Sequence, residues 1–108
     1  MIEMETHLLI QDLNNTYALE LREVPAIGEL EELLAEKVNA MIQTDFGALV
    51  QLLYRIDINE SRLRALLQEN AEENAGGVIA RLIIERQWQK IETRSRYRSN
   101  ADGDEERW

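Results

Sequence analysis

Asp57, Asn59 and Ser61 stand at alternate positions in the stretch RIDINESRL, residues 55–63, the spacing at which a calcium loop offers its first three oxygen ligands. Such a loop also needs a glycine at its sixth position for the sharp turn and a bidentate glutamate at its twelfth. Counted from Asp57, those positions hold Arg62 and Gln68. A cation then stands at the turn, and a neutral amide replaces the last two anionic oxygens. The same residues fit a helix start without exception. Asn59 can cap a helix carrying Leu63, Leu66 and Leu67, with Ile58 and Leu63 at the two positions of a hydrophobic staple. Asp57 with Glu60 offers a capping box two residues earlier as an alternative. A cap is expected here, and no metal.

Other side chains able to do chemistry are few. Acid–base or nucleophilic catalysis needs a positioned base, nucleophile or carboxylate pair in a cleft. The chain has one histidine, His7, and no cysteine, so thiolate nucleophiles, disulfides and thiolate metal sites are excluded. No Glu-x-x-His pair of the di-metal bundle type occurs. The AGGV run at residues 75–78 lacks the spacing and the Lys-Ser/Thr of a phosphate loop. Acidic residues fall opposite the apolar stripes, as a solvated surface does. No catalytic residue, metal ligand or cofactor is assigned, and the chain is expected not to be an enzyme.

The segment RQWQKIETRSRYR, residues 86–98, interleaves Trp88 and Tyr97 with Arg86, Lys90, Arg94, Arg96 and Arg98. That mixture can stack on bases and pair with phosphates. A basic amphipathic helix can equally bind an acidic protein surface, on this chain or on a second copy. The net charge of −9 repels nucleic acid and anionic membrane alike, which favours the protein partner. Arg81, Arg86, Trp88, Lys90, Arg94, Arg96, Tyr97 and Arg98 are therefore the expected interaction residues. The expected function is a non-catalytic protein-interaction or self-associating helical module, its partner another protein or a second copy in a homodimer. Nucleic-acid binding through Arg86 to Arg98 is the alternative.

Four segments must position these residues. After Pro25, the residues Ile27, Leu30, Leu34, Val38 and Met41 recur at helical steps, widened by Leu33 and Ile42. The proline is expected in the first turn. Thr44 is expected to cap a helix with Phe46, Leu49, Val50, Leu53 and Ile56 as its buried stripe. The Asn59 helix follows, then a polar break through Gly76 and Gly77, then a helix from Val78 carrying Ile79, Leu82, Ile83, Trp88 and Ile91. In the first 24 residues, Leu13, Tyr17, Leu21 and Val24 have helical spacing, yet TYALEL alternates as a strand does, and Asn14, Asn15 and Thr16 form a plausible break or hairpin turn. One or two short helices are expected there.

With one proline and five glycines in 108 residues, the composition is that of an all-α protein. A chain of this length buries roughly two thirds of its unfolded surface in one core. The expected architecture is a compact bundle of four to five helices, with residues 1–94 as a single domain and 95–108 as a flexible tail, first basic and then acidic. No apolar run reaches the roughly 18 residues of a membrane span, and acidic residues near the start replace the basic ones of a signal peptide. A cytoplasmic setting without membrane contact is expected.

The segments DFGALVQLLYRIDINESRLRALLQEN and AGGVIARLIIERQWQKIETR, from Asp45 to Arg94, resemble a group of small bacterial all-helical proteins of unknown function. The likeness lies in packing residues. It implies a helical bundle in a bacterial cytoplasm and brings no activity, cofactor or site.

Overall fold

Apolar residues recurring every three or four positions build five helices in this computed structural model, which describes residues 5–72 and 74–105, with side chains as far as residue 96. The elements are α1 (Thr6–Tyr17), α2 (Ile27–Thr44), α3 (Phe46–Ile56), α4 (Glu60–Glu69) and α5 (Ala75–Glu105). No strand occurs among the described residues. The 31 residues of α5 span about 46 Å at 1.5 Å each and set the 52 Å long dimension of the molecule.

Helices α2 and α5 share the most extensive contact, and α1, α3 and α4 each pack on α5. Leu9, Leu13, Leu30, Leu34, Leu49, Ile56 and Ile83 are fully buried where these helices meet. Each such side chain contributes about 1.5–3 kcal/mol by leaving water.

The α2–α5 crossing is close because of Gly76. A Cβ on this residue would lie 2.7 Å from the carbonyl oxygen of Ala35 and 2.6 Å from Asn39 Cγ, nearer than real Cβ atoms come. The glycines expected to interrupt the chain before Val78 instead occupy the first turn of α5, which starts at Ala75. Asn74 supports that start, its Oδ1 accepting the Gly76 N–H at 2.8 Å and its carbonyl the Gly77 N–H at 3.0 Å.

The N-terminal stretch resolves into one helix and a strap without regular secondary structure. Asn14, Asn15 and Thr16 form the last turn of α1 and not a hairpin. Ala18 ends the helix in the left-handed region at φ 54°. The strap then buries Leu19, Leu21 and Val24, but TYALEL is not a strand, since Thr16 and Tyr17 are helical and Ala18 and Glu20 both take positive φ. Its partner is a side chain: Asn14 Nδ2 donates to the Leu21 carbonyl at 2.9 Å, and Asn14 Oδ1 accepts the Leu21 N–H at 2.8 Å. One amide does for Leu21 what a neighbouring strand would do.

Helix ends differ from expectation at several places. Pro25 precedes the α2 N-cap, Ala26, and so lies just outside the first turn. Thr44 is the last residue of α2, its hydroxyl donating to the Ala40 carbonyl at 2.7 Å. Asp45 caps α3 instead, accepting the Ala48 N–H at 3.1 Å, and is the single residue between the two helices. Asn59 caps α4 as expected, accepting the Arg62 N–H at 2.9 Å, and the staple residues Ile58 and Leu63 both pack against the core. The backbone of α5 stays helical to Glu105, past the end of the apolar period near residue 95 where the tail was expected to begin.

Gly76→Ala is expected to destabilise the protein by about 1–3 kcal/mol, the usual cost of overpacking. Gly77→Ala, whose Cβ meets nothing nearer than Arg81 Nη1 at 4.0 Å, should stabilise it by up to about 1 kcal/mol through helix propensity. Urea unfolding followed by circular dichroism measures both, and the opposite signs identify packing as the cause.

Candidate interaction surfaces

The basic half of α5 turns much of its chemistry inward. Trp88 is 8% exposed and belongs to the core, so its ring offers no open face to a base. Arg86 donates from Nη2 to Asp57 Oδ2 and from Nε to the Asp57 carbonyl, both at 3.2 Å. Lys90 donates to the Tyr17 hydroxyl and to the Arg55 carbonyl, both at 3.4 Å. Arg94 pairs with Asp12 at 3.0 Å. Arg81 and Arg96 are exposed. The side chains of Tyr97 and Arg98 lie outside the described residues.

Two of these contacts belong to a polar network between α1 and α5. Gln87, only 3% exposed, is the buried polar residue at its centre. Its Oε1 accepts from the Tyr17 hydroxyl at 3.1 Å, and its Nε2 donates to Asp12. Arg94 holds the other Asp12 oxygen, and the Arg55 guanidinium lies 5.1 Å above the Tyr17 ring. No buried side-chain nitrogen or oxygen among the described residues lacks a partner. The network fixes the rotation of α1 on α5 and presents no open valence to a ligand.

Asp57, the first residue of the calcium-like rhythm, terminates α3 in the left-handed region at φ 68°. Its N–H donates to the Leu53 and Tyr54 carbonyls, and the Ile58 N–H reaches back to Leu53, the pattern of a Schellman helix end. With Asp57 held by Arg86 and Asn59 engaged as a cap, this turn joins two helices. A polar cleft of about 310 Å³ opens beside it, lined by Arg62, Leu82, Glu85 and Gln89 among others. Arg62 and Glu85 bridge it through two bonds of 2.5 and 3.1 Å. The bond from Glu85, and then its charge, raise the Arg62 pKa, with burial opposing. The two charges face one another and leave neither sign in excess.

The surface that the sequence pattern misplaces is on α3. Leu49, Leu52 and Ile56 face the core, whereas Phe46 is 60%, Val50 49% and Tyr54 87% exposed. Phe46 and Val50 were expected in the buried stripe. Apolar residues surround most of this helix, so a period of 3.6 fits more than one face, and only one can meet α2 and α5. The outward residues recur every fourth position and form a continuous apolar stripe. The excess of apolar residues over what one buried face accommodates is the signal that could have revealed it.

No family model, curated protein or solved structure matches the chain. Among the described residues, no group of three or more His, Cys, Asp or Glu side chains is placed to hold a metal ion, and no helix is long and apolar enough to cross a membrane.

Tyr17→Phe is expected to cost about 1–3 kcal/mol by leaving the buried Gln87 carbonyl unpaired. Combined with Gln87→Leu it should cost less than the sum of the two single changes, by about 0.5–3 kcal/mol. A double-mutant cycle from denaturant midpoints gives the coupling.

Proposed function

We propose that this chain is a non-catalytic protein-interaction module that docks through the outward face of α3. One observation carries the reading: Phe46, Val50 and Tyr54 stand exposed at four-residue steps on a helix whose inner side, Leu49, Leu52 and Ile56, is buried. Exposed apolar residues scattered singly are ordinary, whereas a contiguous stripe that includes two aromatic rings is the chemistry of a protein contact. The basic half of α5 supports the same preference by its engagement. Trp88 packs in the core, and Arg86, Lys90 and Arg94 already have partners within the fold. Carboxylate catalysis finds no support in Asp12, whose two oxygens are held by Gln87 and Arg94. The lack of cysteine accords with a reducing, cytoplasmic setting.

In dilute solution, Tyr54→Ser is expected to change stability by no more than about 0.5 kcal/mol. Leu52→Ala, on the inward side of the same helix, should cost about 2–5 kcal/mol. Equal losses would mean that the tyrosine serves the fold, and the reading would fail. It would also fail if single-stranded RNA or DNA bound near physiological salt with a steep salt dependence, since that marks a set of phosphate contacts.

A further inference from the structure

We infer that the occupant of this face is a second copy of the same chain, bound antiparallel across a two-fold axis at Val50. The inference rests on α3 being a docking face and names its partner.

Charge gives the first reason. Two copies of a chain with net charge −9 repel unless they meet where the charge is absent, and no acidic or basic residue lies between Phe46 and Tyr54. The second reason is register. An isologous contact pairs each residue with its counterpart reflected through the axis. About Val50, Phe46 meets Tyr54 of the second copy. Each ring then has an aromatic partner across the axis. Antiparallel alignment also sets each helix dipole against its opposite.

Area sets the strength. Aromatic side chains bury about 150–250 Å² each, so the exposed parts of the three stripe residues offer about 400 Å² per copy. A standard interface takes about 800 Å² from each partner. The dimer is therefore weak and concentration-dependent, and its apolar contact strengthens as salt screens the net charge. A contact between the basic helix of one copy and an acidic face of another would weaken with salt.

Because the chain has no cysteine, single cysteines report the geometry cleanly. Under mild oxidation Val50→Cys should form a disulfide dimer, while Ser61→Cys, exposed on α4, should not. Phe46→Cys and Tyr54→Cys should cross-link to each other when mixed, and each poorly to itself. Sedimentation equilibrium up to about 1 mM, the concentration scale for weak contacts, should show a monomer–dimer equilibrium that shifts toward dimer at high salt. Val50→Arg, which sets like charges on the axis, should weaken it at least about tenfold. A wild-type monomer throughout, a dimer indifferent to Val50→Arg, or self-linking of Phe46→Cys in preference to the mixed pair would overturn the inference. A wild-type monomer in which Tyr54→Ser still leaves stability unchanged would reject the second copy while leaving the docking face for a different protein.

Discussion

The close crossing of α2 and α5 at Gly76 is the constraint from which the rest of the fold follows. Helix axes normally stand 8–10 Å apart, and the small side of that range requires small residues at the contact. With no side chain on Gly76, the start of α5 reaches the Ala35 carbonyl and the Asn39 side chain directly. That approach brings Leu30, Leu34 and Val38 of α2 against the apolar face of α5. The remaining helices dock on the ridge so formed. Helix α1 and its strap cover one part, α3 lies against both partners, and α4, which has no buried residue, leans chiefly on α5. Stability is therefore unevenly distributed, highest along the central pair and lowest in α4.

Electrostatics works in this molecule mostly as local pairing. Although the basic residues gather toward the C-terminal half of α5, several meet carboxylates brought near by the fold from distant parts of the sequence, as Arg94 meets Asp12 and Arg86 meets Asp57. Exposed pairs of this kind contribute at most about 1 kcal/mol each. Their larger effect is directional. They set where α1 and the α3–α4 turn sit along α5, and the buried Tyr17–Gln87 bond adds a requirement that an apolar core alone would not impose.

Periodicity made most of the helices legible. The α2 stripe of Leu30, Leu34 and Val38 and the Asn59 cap stand where spacing placed them, because one-sided patterns and capping residues act locally. Three features escaped for reasons that are not local. Gly76 reads as a breaker until the neighbouring helix is known to need its missing Cβ. The strap reads as either strand or helix, since nothing in its own residues announces that Asn14 will pair with it. Helix α3 reads with Leu49 and Ile56 correctly inside but with Phe46 and Val50 in the stripe and Leu52 outside it, because its apolar residues run nearly all round and the choice of inner face belongs to α2 and α5. Site residues fared similarly: a run of cations was visible, but the carboxylates that meet them lie from 29 to 82 positions away.

Rigidity links this fold to its proposed use. An exposed apolar stripe on a loosely held helix would lose binding free energy in ordering each contact. Helix α3 is held at both ends. One residue, Asp45, joins it to α2 and caps it, and at the other end Asp57 closes the helix and is itself anchored by Arg86. Leu49, Leu52 and Ile56 fasten its inner side. The outward residues therefore project from a backbone whose position the core has already determined, so association need order only side chains. A helix that must bury one apolar face to exist thus carries a second one at little conformational cost, and a chain without excess charge on that face can present it to a partner.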